Sequence, residues 1–196
     1  HASVPARTLA ELIALAKARP GQLAYGSGGN GSAAHIAMEY LKLQTGASLL
    51  HIPYRGTAPA VNDLLAGQLQ ALFTGTPALL PHIKAGKLRA LAVSSPRRIA
   101  SLPEVPTVAE SGVPGTQDFE ADQWYGLVAP AATHAPFAAV INQLIYRSLG
   151  WAAPGARLAA EGAEATPGTP QAFGQLIASE IVPWGRVIKA ARITVD

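Results

Sequence analysis

Tyr25-Gly26-Ser27-Gly28-Gly29-Asn30-Gly31-Ser32 decides the fold. It closes the short apolar run that starts at Gln22 and opens a segment, Ala33 to Leu43, in which Ile36, Met38, Tyr40 and Leu41 recur at helical spacing. The order is strand, glycine-rich loop, helix. The unit then repeats: Leu49 to Ile52 reads as a strand, Pro53-Tyr54-Arg55-Gly56 as a turn, and Thr57 as the cap of a helix that Gly67 ends. Leu69 to Phe73 is a third strand, Thr76-Pro77 opens a helix closed by Gly86, and Leu88 to Val93 is a further apolar strand. Strands that alternate with single helices pair in parallel through right-handed crossovers, which predicts an α/β layered domain.

Upstream of this series, Thr8 and Glu11 have capping-box spacing, and Leu9, Leu12, Ile13 and Ala16 carry a helix over about 8–18 until Pro20-Gly21. Downstream, residues 95–118 are rich in Pro, Ser, Gly and charge and read as a long connection with one helical turn at Thr107 to Glu110. Phe119 to Val128 reads as a long strand, followed by helices at 136–149, 154–161 and 170–190. Phe137, Val140, Ile141, Leu144, Ile145 and Leu149 form one apolar stripe; Phe173, Leu176, Ile177, Ile181, Trp184 and Ile188 form another. Pro183 is expected to kink the last helix or divide it in two.

Composition narrows the function classes. Lys+Arg 15 against Asp+Glu 12 gives a net charge of +3, and the densest basic spot is Arg97-Arg98, so the clustered stripe that nucleic acid requires is missing. The absence of cysteine excludes disulfides and thiolate chemistry. No apolar run approaches the roughly 18–20 residues of a spanning helix. The sequence begins at His1 without a basic segment and apolar stretch ahead of the first helix, so a secretion signal is expected to have been removed.

Gly26-x-Gly28-x-x-Gly31 matches a dinucleotide-binding fingerprint, yet the acidic residue that would hold an NAD ribose is replaced by His51, Tyr54 and Arg55. Arg55 suits a 2′-phosphate, so an NADP-binding oxidoreductase is the competing enzyme reading. Independently of that label, glycines let backbone N–H groups converge, Ser27, Asn30 and Ser32 add side-chain donors, and the next helix points its positive end at the same spot, which together make an anion seat facing a hollow. The plainer alternative is a tight turn with Ser32 as an ordinary N-cap. The loops 53–57 and Thr74-Gly75-Thr76-Pro77 bring two more helix starts to the same sheet edge. His35 and Glu39, one helical turn apart, lack a third ligand and read as a helix-surface pair. With no Gly-x-Ser-x-Gly elbow and no His-Glu-x-x-His, no catalytic residue and no metal site is assigned. Trp124 and Tyr125 either line a cleft or are plain core.

Residues 25–32, 51–60, 81–93, 102–110 and 124–130 resemble the substrate-binding proteins of tripartite tricarboxylate transporters, the Bug family, and the resemblance runs from about residue 4 to Asp196. It implies a type II periplasmic-binding-protein fold, the Venus flytrap, with one nearly complete domain plus part of the other. It also implies a periplasmic protein that hands a small organic carboxylate to membrane permease subunits, without a cofactor and without enzymatic activity. The matching ligand positions are Ser27, Gly28, Gly29, Asn30, Gly31, Ser32, Tyr54, Arg55, Gly56, Thr74, Gly75, Thr76 and Trp124. Members of that family are about half as long again, so the chain is expected to be truncated. Residues 1–118 would then be a ligand-binding domain, and 119–196 a hinge strand and helices returning to an incomplete domain. The apolar stripes of those helices are expected to be exposed, mutually packed or buried on another chain, with self-association as one result. Where the family commonly has Asp or Asn after the third strand, Thr74-Gly75-Thr76 offers no charge for a ligand amine, so a plain carboxylate is favoured over an amino acid. A third reading, a paralogue that signals without binding a solute, has no feature for or against it.

Overall fold

The computed structural model describes residues 1–149 and 152–194, so the end of the resemblance at Asp196 lies outside the described residues. Its sheet has three parallel strands, β1 (Ala24–Ser27), β2 (Leu50–Pro53) and β3 (Ala71–Leu72), in the order β2-β1-β3. The register sets Tyr25 opposite His51 and Ala71, and Gly26 opposite Ile52 and Leu72. With β1 in the middle, the glycine loop that leaves its carboxyl end stands between the loops that leave the other two.

Around the sheet lie α1 (Leu9–Ala18), α2 (Ala33–Thr45), α3 (Thr57–Leu65) and α4 (Thr76–Lys84). Thr8 caps α1 by accepting from the Glu11 amide, and Leu9, Leu12, Ile13 and Ala16 are its buried stripe. Helix α2 stops at Gly46, whose φ of 70° ends it in the left-handed conformation. Its buried Ala37, Met38 and Leu41 join Leu9, Ile13, Leu23, Tyr25, Leu49, Val108, Val113 and Phe119 in the main core. Removing such side chains from water contributes about 1.5–3 kcal/mol each for the larger ones. A second cluster of Leu64, Leu69 and Leu88 seats α3 on the sheet, and a third, of Leu80, Leu102 and Val105, ties down α4.

Gly26 cannot be exchanged freely. A β-carbon there would stand 2.5 Å from Cδ1 of Leu69, so the missing side chain is what lets the chain ahead of β3 close on β1.

Two expected strands are absent among the described residues. The run 88–93 meets the fold through one parallel bridge, Val93 to Thr107, with Val93 N–H donating to Pro106 O at 2.9 Å and Val108 N–H to Val93 O at 2.8 Å. The run 119–128 begins well, with Phe119 and Ala121 buried and the Ala121 amide donating to Ser94 O at 3.2 Å. Beyond it the chain leaves the core, and Tyr125, Leu127 and Val128 are 84%, 73% and 81% exposed. β-propensity makes a strand only where a neighbour supplies carbonyls and amides, and none stands beside this segment.

The remaining helices are α5 (Ala135–Leu149), α6 (Ala152–Ala160) and α7 (Pro170–Ala190), with Thr169 capping α7 through the Ala172 amide. Pro183 neither ends nor divides α7. It lies on an exposed turn, where water can satisfy the carbonyl that loses its donor. The stripe of α5 stands open, with Phe137, Val140 and Leu144 more than half exposed. That of α7 is divided: Trp184 packs edge-on against Tyr40 of α2 at 5.8 Å, while Ile181 and Val182 are exposed.

Candidate functional site

The starts of α2, α3 and α4 gather at the carboxyl edge of the sheet. Two backbone bonds lock the first pair of loops: Tyr54 N–H donates to Ser27 O at 3.1 Å, and Gly56 N–H donates to Gly28 O at 3.2 Å. Gly29 and Gly31 take φ of 126° and 71°, which side-chain-bearing residues rarely adopt, so the path of the loop around Asn30 depends on glycine. A β-carbon at Gly28 would meet Thr57 Oγ1 at 3.4 Å, which puts that hydroxyl directly beside the first loop.

Much of the donor set assigned to this loop is already engaged. Ser27 is fully buried; its Oγ donates to Gly29 O at 3.1 Å, accepts from the Gly29 amide at 3.2 Å and bonds His51 Nε2 at 2.6 Å. Ser32 is the N-cap of α2, with Oγ accepting from the His35 amide at 3.3 Å. The Gly31 amide donates to His35 Nδ1 at 3.1 Å, and the Ser32 amide to Gly29 O at 3.2 Å. The expectation that Ser27 presents its hydroxyl to a ligand is therefore corrected, while Ser32 Oγ, which accepts from the His35 amide, has its own proton left to donate. A buried hydroxyl next to a tight turn satisfies the turn first, because an unpaired amide there costs more than an extra ligand bond returns. Among the described residues, the amides of Gly28, Ala33 and Ala34 have no acceptor, so the positive end of α2 keeps its open donors.

The second loop divides its polar groups the same way. Tyr54 donates its hydroxyl to Asp63 Oδ2 at 2.6 Å, and that bond to a carboxylate, helped by burial, pushes its pKa up to about 12. Its hydroxyl is thus committed within the α3 region. Arg55 is exposed and makes no ion pair among the described residues, which leaves a guanidinium beside the loops. Gly56, not Thr57, is the N-cap of α3, and Gly75 is the N-cap of α4; neither helix start has a side-chain cap. Pro59 and Pro77 carry no N–H and Ala78 N–H donates to Gly75 O at 3.2 Å, so the donors left at this edge among the described residues are the amides of Thr57, Ala58 and Thr76 and the hydroxyls of Thr57 and Thr76.

Trp124 takes a different place from the one expected. Its indole N–H donates to Glu180 Oε2 at 2.9 Å and its ring stands edge-on to Phe173 at 5.3 Å, so it braces α7 with its polar atom used. The third loop instead meets Gln123, whose Oε1 lies 3.2 Å from the position of a β-carbon on Gly75. Thr76 lies against the turn at Gly162.

His35 and Glu39 are not a surface pair. His35 is buried, and Glu39 Oε1 accepts from the Tyr25 hydroxyl at 2.6 Å and from Lys42 Nζ at 2.5 Å. His35 stacks on His51 with ring centroids 3.8 Å apart, and His51 stacks on Tyr25 at 4.9 Å. Burial lowers the pKa of both histidines, that of His51 to about 4 with His35 beside it as the second cause; burial and the Glu39 carboxylate raise that of Tyr25. Sequence reading passed over His51. The register that puts it opposite Tyr25 was its only signal, and register is not visible in one chain.

Two concavities lie at the other end of the strands, one bounded by His1, Leu15, Arg19, Gln22 and Gln70 and the other by Val4, Pro5, Glu11 and Arg89. The candidate site is three helix starts and the Arg55 guanidinium gathered at one sheet edge.

The sequence matches the model of the tripartite tricarboxylate transporter family receptor over residues 1–193. The chain belongs to this receptor family. Protein BugT of Bordetella pertussis is 41% identical over 182 residues, which is 93% of this chain and 55% of BugT. Among solved structures, Rpa4515 of R. palustris with adipate superposes with a TM-score of 0.91 at 34% identity, over 99% of this chain and 64% of that one. MatC of Rhodopseudomonas palustris with bound malate gives 0.87 at 27% identity, over 95% and 64%. The receptor-family chain described here thus spans about half of BugT and under two thirds of the solved chains, and over that length it has their α/β binding-protein fold.

Proposed function

We propose that this chain is the ligand-binding part of a periplasmic solute-binding protein that captures a small organic carboxylate for a tripartite tricarboxylate transporter, and that it breaks no bond. One observation carries the reading: α3 and α4 start without side-chain caps beside the open amides of α2, and Arg55, which makes no ion pair among the described residues, adds a full positive charge to the same edge. Fixed dipole ends and a guanidinium favour a carboxylate, and they supply no group to take or give a proton. The adipate and malate bound by similar proteins support the carboxylate class, and the periplasmic placement of relatives supports the compartment.

Within this reading, Gly28, Asn30, Arg55, Gly56, Thr57, Thr74, Gly75 and Thr76 face the ligand, while Ser27, Ser32 and Tyr54 shape the loops that do so. Residues 1–118 act as the ligand-binding domain and 119–196 as the segment returning towards a second one. Membrane permease subunits receive the solute, and copies of the chain associate through α5 and α7. The test is calorimetric titration of the chain with adipate, malate, an uncharged diamide of each, and NADPH. Saturable binding of an acid but not its diamide supports the proposal. Binding of NADPH in place of the acids, or of the diamides as tightly as the acids, overturns it.

A further inference from the structure

Under the glycine loop, two imidazoles each hold one of its points. His35 Nδ1 accepts from the Gly31 amide at 3.1 Å, which requires a neutral ring with its proton on Nε2. His51 Nε2 bonds Ser27 Oγ at 2.6 Å, and the same oxygen both accepts from and donates to Gly29. Ser27 has one proton, so while that proton goes to Gly29 O, His51 is the donor to Ser27. The rings lie 3.8 Å apart and 14° from parallel, one carried by α2 and the other by β2. Each ring acts through a loop residue, His35 through Gly31 and His51 through Ser27.

Resting on the carboxylate reading, we propose that His35 and His51 are positioning residues: the neutral stacked pair fixes Gly29 and Gly31, so that the open amides at Gly28 and the start of α2 face one point, and protonating the pair releases the loop. A charged His35 has no lone pair for the Gly31 amide, and two cations stacked at 3.8 Å repel. The titratable and charged groups that face the pair are Tyr25 from β1 and Glu39 and Lys42 from α2. The Glu39 carboxylate is already shared by the Tyr25 hydroxyl and Lys42, so it offers the histidines only partial compensation.

The test uses the ligand-free chain first. Amide hydrogen exchange by NMR should give Gly31 a protection that falls about tenfold in His35→Phe, the cost of one lost hydrogen bond, and that His35→Asn restores, because its Oδ1 can take the place of Nδ1. Adipate affinity should fall and recover in step. On acidification of the unaltered chain, the Gly29 and Gly31 amide signals should move with the midpoint read from the histidine ring nitrogens. Unchanged protection and unchanged adipate affinity in His35→Phe overturn the proposal, as do loop amides that ignore ring protonation. If His35→Phe does not fold, the acid titration and His51→Gln decide alone. If no carboxylate binds the unaltered chain, the solute reading fails separately, and the amide data still decide the latch.

Discussion

Gly26 and Arg55 show how single positions separate stability from binding. Gly26→Ala places a β-carbon 2.5 Å from the buried side chain of Leu69, so overpacking should cost about 1–3 kcal/mol in urea unfolding while leaving carboxylate specificity unchanged. Arg55→Gln should leave the melting temperature within a degree or so, since an exposed cation contributes little to stability, yet weaken adipate binding about tenfold in calorimetry. The glycine-rich turn after β1 was legible from the chain, and Arg55 was singled out there as a cation after the next strand; the contact of Arg55 with a ligand is the proposal that the calorimetry tests. Ser27 was misjudged for the opposite reason. Its hydroxyl looks available in the sequence, but full burial gives it partners within the fold, and a buried hydroxyl bonds what surrounds it.

At the level of elements, periodicity located the helices well and the late strands poorly. Helices α2, α3 and α4 start within a residue of where capping and stripe predict them, because a helix satisfies its backbone internally. A strand satisfies its backbone only through a neighbour, so the apolar runs at 88–93 and 119–128 could not become strands on their own merit. The attachment of α7 is likewise tertiary. Trp184 against Tyr40 is its chief aromatic anchor on α2, and Trp184→Ala should raise hydrogen exchange throughout 170–190 while α2 stays protected. Exchange that rises equally in α1 would instead place Trp184 in the common core.

For the molecule as a whole, two behaviours follow. His51, lowered to about 4, and His35, also lowered by burial, bind fewer protons folded than unfolded between their ordinary pKa and the folded one. Stability should therefore be full near neutral pH and fall as pH drops from about 6.5 to about 4, visible as a declining melting temperature that His51→Gln flattens. The open stripe of α5, with Phe137, Val140 and Leu144 bare, should drive concentration-dependent association in analytical ultracentrifugation, and Val140→Glu with Leu144→Glu should abolish it. The sequence by itself determined the α/β class, the parallel order of alternating units, the family and the edge where helix starts gather, because each is written in local spacing and composition. Only the tertiary structure decided which donors remain open and which histidines lie beneath them. Hydrogen bonds are allotted among groups that folding brings together, and those neighbours are far apart along the chain.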